Sequence, residues 1–69
     1  MVKNNLRKLR EEKGLTQKDL CKLIAEKGYV IERSTYSKYE TGDRSIPCDF
    51  LIIISRFYET STDNILGIV

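Results

Sequence analysis

Leu15-Thr16-Gln17-Lys18-Asp19-Leu20 holds every part of a helix start. The Thr16 hydroxyl is spaced to cap the backbone, the Asp19 carboxylate three residues on reaches back, and Leu15 can pack on Leu20. From Gln17 the apolar residues Leu20, Cys21, Leu23 and Ile24 recur at helical spacing, and Gly28 stops the pattern. Upstream, Asn4 or Asn5 caps a first helix that runs to Lys13, with Leu6 and Leu9 inward and Gly14 in the left-handed position that ends helices. Its other face is charged.

Downstream, Tyr29, Val30 and Ile31 form an apolar connector, and at least one of these side chains is expected to plug the core. A third helix runs from about Arg33 to Glu40 and ends at Gly42. Pro47 suits the first turn of a fourth helix carrying Cys48, Leu51, Ile52, Ile54, Phe57 and Tyr58. A last short helix, capped by Ser61, holds Ile65 and Leu66. Five helices in 69 residues leave no room for a sheet, so the expectation is all-α, one domain over residues 1–69, with no repeat or linker.

A chain of this length buries only about 60% of its unfolded surface, so stability of about 5 kcal/mol is expected. The longest purely apolar run, Leu51 to Ile54, is too short to cross a bilayer, and the N-terminus lacks the apolar core of a signal peptide. A cytoplasmic protein is the default. Cys21 and Cys48 stand apart without Cys-x-x-Cys spacing; both read as small core residues, with a disulfide the alternative. With no histidine, metal ligation and the commonest general base are not offered, and no paired carboxylates or phosphate-cradling glycine loop are visible. The expectation is no enzyme, cofactor, metal or small-molecule substrate.

Net charge is +2, unevenly spread: residues 1–45 carry eleven Lys/Arg against seven Asp/Glu, and residues 46–69 carry one against three. Such asymmetry fits a polyanion on one side of the domain. Helix three is where geometry says most. At 100° per residue, Tyr36 and Tyr39 share one side, whereas Arg33, Ser34, Ser37, Lys38 and Thr41 fall within an arc of roughly 140° opposite. This flank also fits the wet face of an ordinary amphipathic helix. Its place after helix two and a turn favours the helix-turn-helix arrangement, whose second helix enters a major groove.

Leu15-Thr16-Gln17, Leu20-Cys21, Arg33 through Gly42, and Ser61-Thr62-Asp63-Asn64-Ile65-Leu66 together resemble the lambda-repressor-like (XRE/Cro-type) helix-turn-helix family. The resemblance implies a compact five-helix domain that binds double-stranded DNA, with helices two and three as the helix-turn-helix. It implies a bacterial or phage transcriptional regulator, a repressor first of all, associated with the nucleoid through DNA. By position, Gln17 matches the glutamine that bonds a phosphate and braces the recognition helix. Arg33, Ser34 and Lys38 match base-reading positions, Thr35 and Thr41 match phosphate or sugar contacts, and Arg10 with Glu40 matches a structural ion pair. Arg33 at a helix N-terminus also suits a bidentate contact to guanine, with pairing to Glu32 or Glu40 as the alternative.

Three features depart from the pattern. The connector between Ile24 and Arg33 is longer than usual, so helix two is expected to extend and the turn to be reshaped. Glu32 stands where a serine cap is usual, and Asp43 where a cation often meets phosphate. Glu32 is tolerable at a helix N-terminus beside Arg33, whereas Asp43 leaves Arg44 to supply the attraction. On helix four, Leu51, Ile52, Cys48 and Tyr58 are read inward, and Phe50, Ile53 and Phe57 form an adjoining strip. That strip and the segment Leu66 to Val69, with Ile68, are the expected homodimer surface. A protein-binding module, such as an antitoxin or adaptor on the same scaffold, is the alternative function.

Overall fold

The structure is a computed structural model that describes residues 4–68. Helices occupy Leu6–Glu12 (α1), Gln17–Glu26 (α2), Arg33–Thr41 (α3), Cys48–Tyr58 (α4) and Thr62–Leu66 (α5), with no strand among the described residues. The fold class is all-α, as the sequence predicts. The capping box forms in full: Thr16 Oγ1 accepts from the Asp19 amide at 3.0 Å, and Asp19 Oδ2 accepts from the Thr16 amide at 3.3 Å. Gly14, at φ 69°, takes the left-handed conformation between α1 and α2. α2 continues two residues past Ile24, and residues 27–32 remain as the connector.

Asn5 occupies the N-cap of α1 without a side-chain bond to the helix. Instead Asn4 Oδ1 accepts from the Leu6 amide at 3.0 Å, and the two side-chain amides reach across the fold. Asn4 Nδ2 donates to the Tyr39 carbonyl at 2.7 Å and Asn5 Nδ2 to the Asn64 carbonyl at 2.6 Å. The start of α1 is thereby tied to the ends of α3 and α5.

Leu6, Leu20, Ile24, Tyr36, Tyr39, Phe50, Ile54 and Ile65 form the core, with every helix contributing. Phe50 is its aromatic centre. Its ring lies 5.4 Å from Tyr29, 6.0 Å from Tyr36 and 5.4 Å from Tyr39, all in tilted or edge arrangements that aromatic pairs favour. Tyr29 and Ile31 of the connector pack on this core, whereas Val30 is 86% exposed.

Helix four corrects the sequence reading. Phe50, assigned to an outer dimer strip, is fully buried and unavailable to a partner. Ile52 and Cys48, assigned inward, are exposed, and both cysteines are free thiols. Cys21 is half-buried against the core, and burial pushes its thiol pKa up. The buried stripe is centred on Phe50 and Ile54, an i, i+4 pair, with Leu51, Ile53, Phe57 and Tyr58 at its margins. Asp49 is the sole polar residue between Cys48 and Ile54, so periodicity had almost nothing with which to set the phase. Phe57 is partly covered as well, by the Tyr58 ring at 5.1 Å and by Lys27 Nζ at 5.9 Å from its centroid.

Candidate nucleic-acid interface

α3 packs its tyrosines inward and is held against α1 and α2 by one charged cluster. Glu40 Oε2 accepts from Arg10 Nε at 2.7 Å, and Glu40 Oε1 accepts from Gln17 Nε2 at 3.1 Å. Arg10 Nη1 donates to the Leu15 carbonyl at 2.7 Å, so a single guanidinium ties α1, the α1–α2 turn and α3 together. The pair is nearly dry, with side-chain exposures of 12% for Arg10 and 5% for Glu40. Burial alone would push the Glu40 carboxyl up, but the hydrogen bonds from Arg10 and Gln17 and the charge of Arg10 outweigh it and hold the group below its ordinary range. The same bond to Glu40 raises Arg10. Burial, reinforced by the carboxylate, likewise pushes the Tyr36 and Tyr58 hydroxyls up.

Gln17 therefore acts as a brace between α2 and α3. Since a carboxylate can only accept, the carboxamide must present its NH₂ to Glu40. Arg10 and Glu40 are brought together by the fold. Arg33 is exposed and pairs with neither Glu32 nor Glu40 in the described geometry.

On the opposite side of α3, Arg33, Ser34, Lys38 and Thr41 are exposed and Thr35 and Ser37 half-buried. This flank is not packed against the molecule's own interior, and the longer connector does not bury it. Thr41 Oγ1 is engaged locally, donating to the Lys38 carbonyl at 3.2 Å and accepting from the Asp43 amide at 3.4 Å. Gly42, at φ 85°, turns the chain out of the helix, and the Arg44 amide bonds back to the Lys38 carbonyl. Asp43 and Arg44 are both exposed in that turn.

An open groove of about 620 Å³ runs between the start of α2 and the start of α3, lined in part by Thr16, Gln17, Lys18 and Arg33. Arg10, Lys18 and Arg33 meet the Glu11 carboxylate and the α2 N-terminus there, where helix partial charge also favours an anion. Lys18 was not singled out from sequence; only the spatial approach of α2 to α3 brings it beside Arg33. Of the residues assigned to a dimer surface, Ile53 and Phe57 are half-buried on the core, Leu66 is half-buried, and Ile68 is 66% exposed. Val69 lies outside the described residues.

Residues 6–65 match the family described as helix-turn-helix. Over 68 residues the chain is 37% identical to an uncharacterized HTH-type transcriptional regulator, YobD, of Bacillus subtilis (strain 168). That alignment covers 99% of this chain and 56% of the relative, so the chain spans little more than half that protein's length. No solved structure matches. No helix among the described residues is long and apolar enough to cross a membrane.

Proposed function

This chain belongs to the lambda-repressor-like helix-turn-helix family, and on that premise we propose that it is a sequence-specific DNA-binding unit of a transcriptional regulator, acting as a repressor by seating α3 in the major groove. The observation that carries the reading is the division of α3. Tyr36, Tyr39 and Glu40 fix one side, while Arg33, Ser34 and Lys38 stand free on the other. A groove-reading helix needs both properties, because base contacts discriminate only when the donors arrive in a fixed register.

In this reading Arg33 makes a bidentate contact to guanine, Ser34 and Lys38 reach neighbouring base edges, and Ser37 lies close to the groove floor. Gln17, Thr35, Thr41 and Arg44 face the sugar-phosphate walls, with Arg44 offsetting Asp43. Two copies bind a palindromic site one helical turn apart. Leu66 and Ile68 supply the apolar contact between them. Selection of duplexes from a random pool, followed by salt titration of the best binder, tests the proposal. Enrichment of one motif with affinity falling linearly in log salt is expected; an unenriched pool with salt-independent binding contradicts it. Sedimentation at micromolar concentration tests the pairing, and a strict monomer even on DNA contradicts that part.

A further inference from the structure

The connector that feeds α3 alternates in and out. Tyr29 and Ile31 pack on the core, while Val30 and Glu32 are exposed, Val30 the most open of the large apolar side chains among the described residues. Its tip is held from both sides. The Tyr29 amide donates to the Ile24 carbonyl at 3.2 Å, its ring lies 5.4 Å from Phe50, and its hydroxyl donates to Asp49 Oδ1 at 3.4 Å. On the other side Ile31 is packed and Glu32 is already the extended N-cap of α3, at φ −76° and ψ 145°. Neither neighbour can move to cover Val30 without giving up core contacts. A single exposed apolar side chain is ordinary on a protein surface. This one is fixed in place, stiff at χ1 because it is β-branched, and continuous with the exposed run Glu32-Arg33-Ser34 that opens α3.

Resting on the duplex reading above, we propose that Val30 determines specificity by packing on the C5-methyl group of a thymine that flanks the base pair read by Arg33. The N-terminal residues of a groove-bound helix face base edges, so the chain entering that helix leaves the groove across its rim. At about 3.3 Å per extended residue, Val30 stands about 7 Å before Glu32, which is about two base steps along one strand. The extra length of the connector carries an apolar side chain to that rim. In a major groove the thymine methyl is the apolar group that a base edge presents, and short apolar side chains are its partners. An isopropyl group offers no hydrogen bond to phosphate or to the other base edges, so it separates thymine from them. Little ordering cost offsets the contact, because the connector is already fixed. A second copy of the chain is the competing occupant. Leu66, on the proposed contact between copies, shares a pocket with Gly42 and Arg44 at the opposite end of α3, which favours the duplex for Val30.

The test is selection from a random duplex pool with the wild type, followed by replacement of each thymine of the selected duplex with uracil, which removes the methyl group and nothing else. One thymine, within about two base pairs of the pair that Arg33→Ala ceases to select, is expected to be sensitive. Its replacement by uracil should weaken wild-type binding about fourfold, the worth of one buried methyl group. Val30→Ser should bind the thymine and uracil duplexes equally, whereas Ile52→Ser, which removes an exposed apolar side chain from α4, should keep the wild-type ratio. Unfolding midpoints should stay together, because the Val30 side chain is 86% exposed. If no thymine is sensitive, or if Val30→Ser keeps the wild-type ratio or weakens both duplexes evenly, Val30 does not read the methyl group and the inference is overturned while the selected motif leaves the duplex reading standing. A wild-type pool with no enriched motif overturns the duplex reading itself, and this inference with it.

Discussion

The two sides of α3 differ in almost every physical respect. The inner side is dry, aromatic and cross-braced: Tyr36 and Tyr39 lie against Phe50, and Glu40 receives bonds from α1 and α2. The outer side is wet, and Arg33 and Lys38 form none of its described ion pairs. On the proposed reading, stability and recognition fall to different residues of one nine-residue helix. Substitutions should separate accordingly, with inner changes acting on folding and outer changes on binding.

The largest effect is expected from Phe50→Ala. Removing the ring that three tyrosines contact should cost about 3 to 5 kcal/mol, most or all of the stability expected of so small a domain. Urea unfolding measures it, and a cost near zero would place the core elsewhere. Next comes Glu40→Ala, which strands a buried guanidinium and should cost about 3 kcal/mol. The double variant with Arg10→Ala should lose clearly less than the sum of the two single changes.

The Glu40 carboxyl also sets a pH dependence. Its native pKa lies below the ordinary 4.5, so its ionised form contributes stability in full above that value, and the contribution disappears as pH falls through the depressed native value. Glu40→Gln should flatten the acid limb of the stability profile there. An unchanged limb would deny the pair its electrostatic role.

The outer side should behave in the opposite way. Arg33→Ala is expected to leave the unfolding midpoint within about 0.5 kcal/mol of wild type. It should cost about 1 to 3 kcal/mol of discrimination at one base pair. The smallest effect belongs to Arg44→Ala, an even weakening across sequences with the salt slope lowered by about one phosphate contact. An unchanged slope would remove Arg44 from the interface.

How far sequence alone reaches depends on where polar residues fall. α3 was legible because serine, lysine and threonine alternate with tyrosine and leave one phase for the buried side. α2 was legible from Thr16 and Asp19. α4 was not, since an almost unbroken apolar stretch fits several phases, and the true one depends on which side the tyrosines of α3 and the connector present to Phe50. The Arg10–Glu40 pair followed from the family pattern. The bond from Gln17 to the same carboxylate, 23 residues away in sequence, required coordinates. So did the exposure of Val30, because three apolar residues in a row do not say which side chain the core leaves out.

An amide-resonance titration of the labelled protein with its selected duplex tests the division of α3 most directly. Perturbations should cluster at Gln17, Lys18, residues 32–38 and Arg44, leaving the outer side of α4 around Ile52 unmoved. Perturbation centred on Ile52 with residues 32–38 silent would contradict the assignment of recognition to the free flank of α3.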